Sequence, residues 1–259
     1  NVVNNNSLGY SGIYVPMGSQ FELKGSGSLT IDCYAPAGIG IGNDFDHSYG
    51  DIAVDMEGRL EIISNSMDTL CIGGGYNEDD SEIDLRSGQI RIHMHSHNGL
   101  AIGSFNGDAL IDISDKCKLE LTVSGIKVTG IGSCKGIATI SSSADIAISC
   151  TGAQAVAIGS LEDGEGSIYI KSGKLMMKMR SAKNSAIGAI KGNMNTRVEN
   201  ADISIDSEGD EITGNGDALG TGNVAIIDSA VTMKILAANP KDIGTGSGDL
   251  KIVNSTVSS

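Results

Sequence analysis

A short phrase recurs the length of the chain: a small or apolar residue, then Ile (once Leu), then Gly. It stands at Ile41-Gly42, Ile72-Gly73, Ile102-Gly103, Ile131-Gly132, Ile158-Gly159, Ile187-Gly188, Leu219-Gly220 and Ile243-Gly244. Successive glycines are spaced 31, 30, 29, 27, 29, 32 and 24 residues apart, and Gly12-Ile13 reads as a worn first copy. A period near thirty means one structural unit repeated, and such a repeat constrains the fold before any other feature.

Within each repeat the order is constant. A polar, Gly-rich loop follows the Ile-Gly. Then comes an alternating run such as 50–55, 81–86 or 167–171, a tight turn, and a second alternating run such as 59–62, 89–92, 118–121 or 202–205. Alternation over four to six residues marks a strand with one buried face. A propeller blade needs about four strands and about forty residues, and a sandwich would not keep so fixed a period. The expectation is therefore an all-β, single-stranded parallel β-helix. It has about eight to nine coils of roughly 29 residues, with three short strands per coil stacked at about 4.8 Å. The rod would be on the order of 40 Å long, and the crossover preference of parallel strands predicts a right hand.

The core follows from the alternation. One aliphatic ladder runs through Ile41, Ile72, Ile102, Ile131, Ile158, Ile187, Leu219 and Ile243. A second includes Ile52, Ile83, Ile111, Ile168 and Leu250. A third includes Leu60, Ile90, Leu119, Ile146, Leu175 and Ile203. Burying each such side chain contributes about 1.5–3 kcal/mol. The glycine after each first-ladder residue is expected where φ is positive or where coils approach closely. Pro16, Pro36 and Pro240 are expected at corners, because a proline within a ladder removes a donor. The unbroken repeat makes residues 1–259 one β-helix domain, with a worn first coil at about 12–40 and regular coils over 41–259. Asn4 to Asn6 reads as a frayed polar lead-in.

The net charge is −14. That balance argues against nucleic acid, whose binders carry basic patches, and against an anionic membrane surface. No apolar run is long enough to span a bilayer, and no signal peptide opens the chain. The expectation is a segment of a longer precursor, monomeric and displayed outside the cell or on its surface. The five cysteines are an odd count. Cys33 and Cys150 share a register but lie four coils apart, roughly 19 Å, beyond disulfide reach. Cys71, Cys117 and Cys134 sit at non-equivalent places in their coils, and mostly free thiols acting as small core residues are expected.

Several constellations bear on chemistry. His93, His95 and His97 form an H-x-H-x-H run in which alternation turns His93 and His95 outward, where two imidazoles could share a transition metal. A solvated strand face is the plainer reading. Glu61, Arg91 and Glu120 should stack with alternating sign, as should Lys178, Asp206 and Lys234, in the manner of ordinary cross-strand pairs. The loops after each Ile-Gly are acidic and share one corner: Asn43, Asp44, Asp46 and Asp51; Asn77, Glu78, Asp79 and Asp80; Asn106 and Asp108; Glu162, Asp163 and Glu165. Their oxygens suit calcium in kind, with Asp44 and Asp46 as candidate ligands. No loop has EF-hand spacing, and 214–217 is only a fragment of a glycine–aspartate calcium repeat. Calcium is thus the one cofactor left open, and a solvated acidic edge is the plainer account.

Hydrolysis of polysaccharides needs paired carboxylates at a set distance, and no Asp-Asp pair lies in a strand. No Gly-His-Gly, Arg-x-Lys run or Ser-His-Asp arrangement stands out, so the chain reads as non-catalytic. Aromatic residues are scarce, with no Trp, six Tyr and three Phe. Since sugar platforms use aromatic faces, the N-terminal cluster of Phe45, Tyr49, Tyr76 and Phe105, with Asp79, is the expected ligand site. Partly buried loop packing is the alternative.

The phrases Leu100-Ala101-Ile102-Gly103-Ser104 and Val156-Ala157-Ile158-Gly159-Ser160 resemble those of bacterial surface β-helix repeat proteins. In those proteins a similar Gly-Ala-Ile-Gly phrase precedes Gly-x-Ile-x-Ile and a second short strand. The resemblance covers nearly the whole chain from Ile13 to Val257. It implies placement in large cell-wall or secreted proteins of gut-dwelling bacteria and an adhesin-like role, with a glycan or host surface protein as partner. That inference is drawn at the level of fold, and the family brings no catalytic motif. The expected function is a non-catalytic extracellular binding module. A structural stalk and a polysaccharide-degrading lyase or glycoside hydrolase are the alternatives.

Overall fold

The computed structural model describes residues 2–4, 11–34, 36–78, 80–217, 222–244 and 247–258. Among them there is no helix. Parallel strands stack as a β-solenoid of about eight turns, each of about 28 residues. Three faces result. The first is built from segments such as 51–56, 82–85, 109–113, 166–170, 194–198 and 224–227. The second contains 59–64, 89–94, 118–123, 145–150, 174–179 and 202–207. The third contains 37–42, 68–74, 98–104, 127–133, 154–160, 183–189 and 211–217.

The three ladders form in the expected register except at the C-terminal end, where Leu250 pairs with Val224 as expected but is 51% exposed, because no described coil covers it. On the first face Phe21, Ile52, Ile83, Ile111, Ile140 and Ile168 stack, and on the second Leu29, Leu60, Ile90, Leu119, Ile146, Leu175 and Ile203 stack. The ladder of the repeat phrase runs Ile13, Ile41, Ile72, Ile102, Ile131, Ile158 and Ile187. One continuous core contains the inner members of all three and extends from Val15 to Met233.

The phrase's seventh copy is displaced from its expected place. Leu219 and Gly220 lie outside the described residues. The ladder position belongs to Asn215, which pairs with Ile187 on one side and Ile243 on the other. The irregular spacings of 32 and 24 thereby become two equal coils, and Gly216, not Gly220, occupies the glycine column with φ 122°. The 214–217 stretch is therefore a ladder copy, not a fragment of a calcium repeat. Asn215 is 1% exposed. Its Oδ1 accepts from Thr196 Oγ1 at 2.8 Å, and its Nδ2 has no partner among the described residues.

The glycine column has a double cause. Gly42, Gly73, Gly103, Gly132, Gly159 and Gly188 all have φ between 124° and 137°, a region that side chains avoid. A Cβ on any of them would also meet the carbonyl oxygen of the next coil's glycine, 1.6 Å away at Gly42 and 1.8 Å at Gly103.

Pro16 and Pro36 sit outside the regular strands, at corners. Pro240 departs from expectation. It lies within the strand Ala230–Ile243, paired with Ile212. That strand belongs to the last described coil of its face, and an edge strand tolerates a proline because one of its sides needs no donor. All five cysteines are free and buried. Burial pushes the thiols of Cys33, Cys117, Cys134 and Cys150 up to about 12, which keeps them protonated and unreactive.

Two outcomes follow for stability. Gly103→Ala is expected to lower the unfolding free energy by about 2–4 kcal/mol. Gly27→Ala, where a Cβ meets nothing within 4 Å, leaves it within about 0.5 kcal/mol; urea midpoints compare the two. The double change Thr196→Val with Asn215→Ile restores the aliphatic ladder and removes a buried unpartnered amide. It is expected to stabilise by about 1–2 kcal/mol, more than Asn215→Ile alone, which orphans the Thr196 hydroxyl.

Candidate functional site

The corner after each glycine column carries the N-terminal aromatics. Phe45 and Phe105 meet edge to face, with centroids 5.1 Å apart and planes at 86°. Both pack on a second apolar cluster of Ile39, Leu70, Leu100 and Cys134, which lies outside the main core. Tyr49 is fully buried. Its hydroxyl accepts from Asn77 Nδ2 at 3.4 Å, and burial pushes its phenol well above the usual range. Tyr76, 37% exposed, is the most exposed of the four aromatics. Asp79 lies outside the described residues. The structure thus brings Phe45 and Phe105 together as packing and gives Tyr49 no surface for a ligand.

Several side chains of the loops at this corner bond to the chain itself. Asp44 Oδ1 accepts the Asp46 amide at 3.0 Å and faces His47 Nδ1 at 2.6 Å, an interaction that raises the His47 pKa. Asn43 Nδ2 donates to the Ser48 carbonyl and Asn77 Nδ2 to the Ser81 carbonyl, each at 2.7 Å, so both asparagines staple their own loops. Glu162 is taken by Lys127 and, at 3.5 Å, by Lys135, and its carboxyl is held below the usual range chiefly by the Lys127 hydrogen bond.

His93 and His95 are exposed on the second face, a different corner from Asp44 and Asp46. The four metal candidates are therefore divided between two places. No three or more His, Cys, Asp or Glu side chains converge among the described residues.

The charge columns are in register. Glu61, Arg91 and Glu120 stack, with Arg91 Nε 2.8 Å from Glu120. Lys178, Asp206 and Lys234 stack as well. Asp206, however, is gripped by Arg180 Nη2 at 2.7 Å. That hydrogen bond is the main cause of its lowered pKa.

A further cleft, largely apolar in its lining, lies on the first face toward the C-terminal end. Two outward columns build it. Tyr169, Arg197, Ala225 and Lys251 stack in register. Beside them Ser167 stacks with Asn195. Asn223 donates its backbone and side-chain N–H groups to Asn195 Oδ1 at 3.0 and 3.1 Å, and the Asp249 amide donates to Asn223 Oδ1 at 2.9 Å. Each asparagine therefore tethers the strand above it, and the amide heads are held in line. Ala225 interrupts the column of long side chains and opens a cleft of about 490 Å³.

The aromatic wall is braced from behind. The Tyr169 hydroxyl donates to Glu199, and Arg197 Nε donates to the same carboxylate at 2.8 Å. Glu199 is consequently held below the usual carboxylate range, first by Tyr169 and then by Arg197, while the Tyr169 phenol is raised. The Lys171 ammonium and the Arg197 guanidinium lie 5.8 and 5.7 Å from the Tyr169 ring centre, within cation–π range. Glu199 directly precedes Asn200, which has φ 48°; Asp228 and Asn254 repeat that φ at the same corner of the next coils. Asn and Asp tolerate the left-handed conformation better than other side chains, so this turn fixes where the strand ends and where Glu199 stands. Outward alternation around Ile168 and Ile170 was the available signal for Tyr169. Its pairing with Arg197, 28 residues later, was not readable without the register.

Tyr49→Ala is expected to cost about 3–5 kcal/mol, as for other large core aromatics. Tyr49→Phe should cost about 1 kcal/mol. Equilibrium unfolding measures both, and a small loss for Tyr49→Ala would mean that the ring is not part of the core. No protein-family model, curated protein or solved structure matches this chain.

Proposed function

We propose that this chain is a non-catalytic β-solenoid module that acts outside the cell or at its surface, where it presents a glycan-recognition face on a rigid rod. The observation that carries this reading is the cleft over Ala225. Sugar recognition calls for an aromatic surface and convergent planar hydrogen-bonding groups fixed in advance. Tyr169, Arg197, Asn195 and Asn223 supply these chemistries; Tyr169, Asn195 and Asn223 are held by partners on a neighbouring coil and Arg197 by Glu199 on its own strand. Preorganisation of this kind lowers the entropic cost of binding. A stacked solenoid also offers the extended faces that long ligands use. The adhesin-like role expected from the resemblance rests on the same cleft, with a glycan, free or on a host surface protein, as the partner.

A structural stalk is the second reading. The lateral ion pairs favour it: Arg91 with Glu120, Arg180 with Asp206 and Lys183 with Glu211 tie coil to coil along the outside.

A glycan panel probed with the purified chain, with calcium and with chelator, separates the two. Saturable binding is expected, at least tenfold weaker in Tyr169→Ala and in Ala225→Lys, which fills the cleft floor, and unchanged in Tyr76→Ser. Binding lost only in Tyr76→Ser would move the site to the N-terminal corner. No binding under either condition would favour the stalk.

A further inference from the structure

The H-x-H-x-H run and the exposed side chains beside it lie far from the aromatic corner and from the Ala225 cleft. At the turn between the second and third faces, outward side chains form two adjacent columns. In one column Asn65, His95 and Ser124 stack in register. In the other, the Met67 amide donates to the Pro36 carbonyl at 3.1 Å and the His97 amide to the Met67 carbonyl at 2.8 Å, so Pro36, Met67 and His97 are successive steps of the stack. Ile126 follows above His97, since Gly125 pairs with Ser96 and Lys127 with Asn98.

His97 therefore sits one coil step, about 4.8 Å, above Met67, and on the same side of the strand as His95, about 6.8 Å along it. Both imidazoles and the thioether line one cleft of about 440 Å³ with Tyr34 and Pro36. From these positions the three side chains can reach a common point.

Ser124 orients the His95 ring. Its Oγ donates to the Met94 carbonyl at 3.2 Å and lies 2.9 Å from His95 Nδ1. That contact engages Nδ1, so Nε2 is the ring nitrogen left for a ligand. A hydrogen bond at the other ring nitrogen is how proteins orient a metal-binding histidine.

We propose that His95, His97 and Met67 form a binding site for a soft monovalent metal cation, Cu(I) or Ag(I). The ligand set is two imidazoles and one thioether, all neutral. Thioether sulfur is a soft donor that suits Cu(I), whereas the harder divalent ions prefer oxygen ligands. No carboxylate lines the cleft. Tyr34 and Met67 line the cleft and are 54% and 60% exposed; their apolar surface beside the imidazoles favours a low-charge complex. The cation binds without reaction, and no electron is transferred. The site is independent of the glycan reading.

The test is a competition titration of the purified chain with a chromophoric Cu(I) chelator under reductant and without oxygen, with Ag(I) as an air-stable second probe. One Cu(I) per chain is expected. Met67→Leu and His97→Asn should each weaken it at least tenfold, Ser124→Ala by about tenfold, and His93→Ala not at all. In NMR spectra the ring protons of His95 and His97 should shift with Ag(I) while those of His47 stay in place. Because a thiol exposed by unfolding would bind a soft metal, native thiols are counted with a thiol reagent before and after loading. Equal affinity in Met67→Leu, His97→Asn and the parent, uptake that tracks the thiols, or Zn(II) binding as tight as Cu(I) would each overturn the proposal.

Discussion

The contact on which everything else rests is the approach of glycine to glycine between coils. At Gly42, Gly73, Gly103, Gly132, Gly159 and Gly188 the carbonyl of the next coil's glycine occupies the space that a Cβ would take, with the backbone in a positive-φ region closed to other residues. This fixes where each coil turns and how it lies on the one below. Once that position is set, the flanking isoleucines can only stack, and the other two faces follow in register.

Stacking turns sequence distance into contact. Residues about 28 apart become neighbours at one coil step, so each outward column is a short ligand-bearing surface assembled from distant segments. The same geometry yields three different chemistries. Opposite charges in a column give the Arg91–Glu120 pair. An asparagine column gives the tethered amides of Asn195 and Asn223. A column holding Met67 and His97 brings a thioether and an imidazole to one cleft at successive coil steps. The inside is less tolerant. Asn215 in the aliphatic ladder is kept by one hydrogen bond from Thr196, and its other polar atom finds no partner among the described residues.

Much of this was legible in the residues. Alternation located the strands because side chains on a strand change face at every step. The vertical neighbours Glu61, Arg91 and Glu120 were readable because the repeat phrase sets the register. The phrase misled at one copy. Leu219-Gly220 has the right letters, but the position demands glycine and merely prefers an aliphatic, so Asn215-Gly216 takes it. The aromatic corner was legible as a cluster and not as a site. Tyr49 is buried in the main core and Phe45 packs on the second apolar cluster, and alternation along a strand reports neither. The grip of Arg180 on Asp206 was likewise unreadable, because a long side chain reaches diagonally past its register partner Glu208.

The sequence by itself determined the architecture: a parallel solenoid, its coil length, its three ladders and which side chains face out. Glycine requirements and period-two alternation are local rules, and a repeated local rule has one global solution. Only the tertiary structure decided which outward side chains matter together. The columns over Ala225 and around His95 join residues one coil apart, and their use depends on side-chain reach, burial by loops and the direction of single hydrogen bonds such as that from Ser124 to Met94. Those quantities are set by neighbours in space, and no spacing along the chain encodes them.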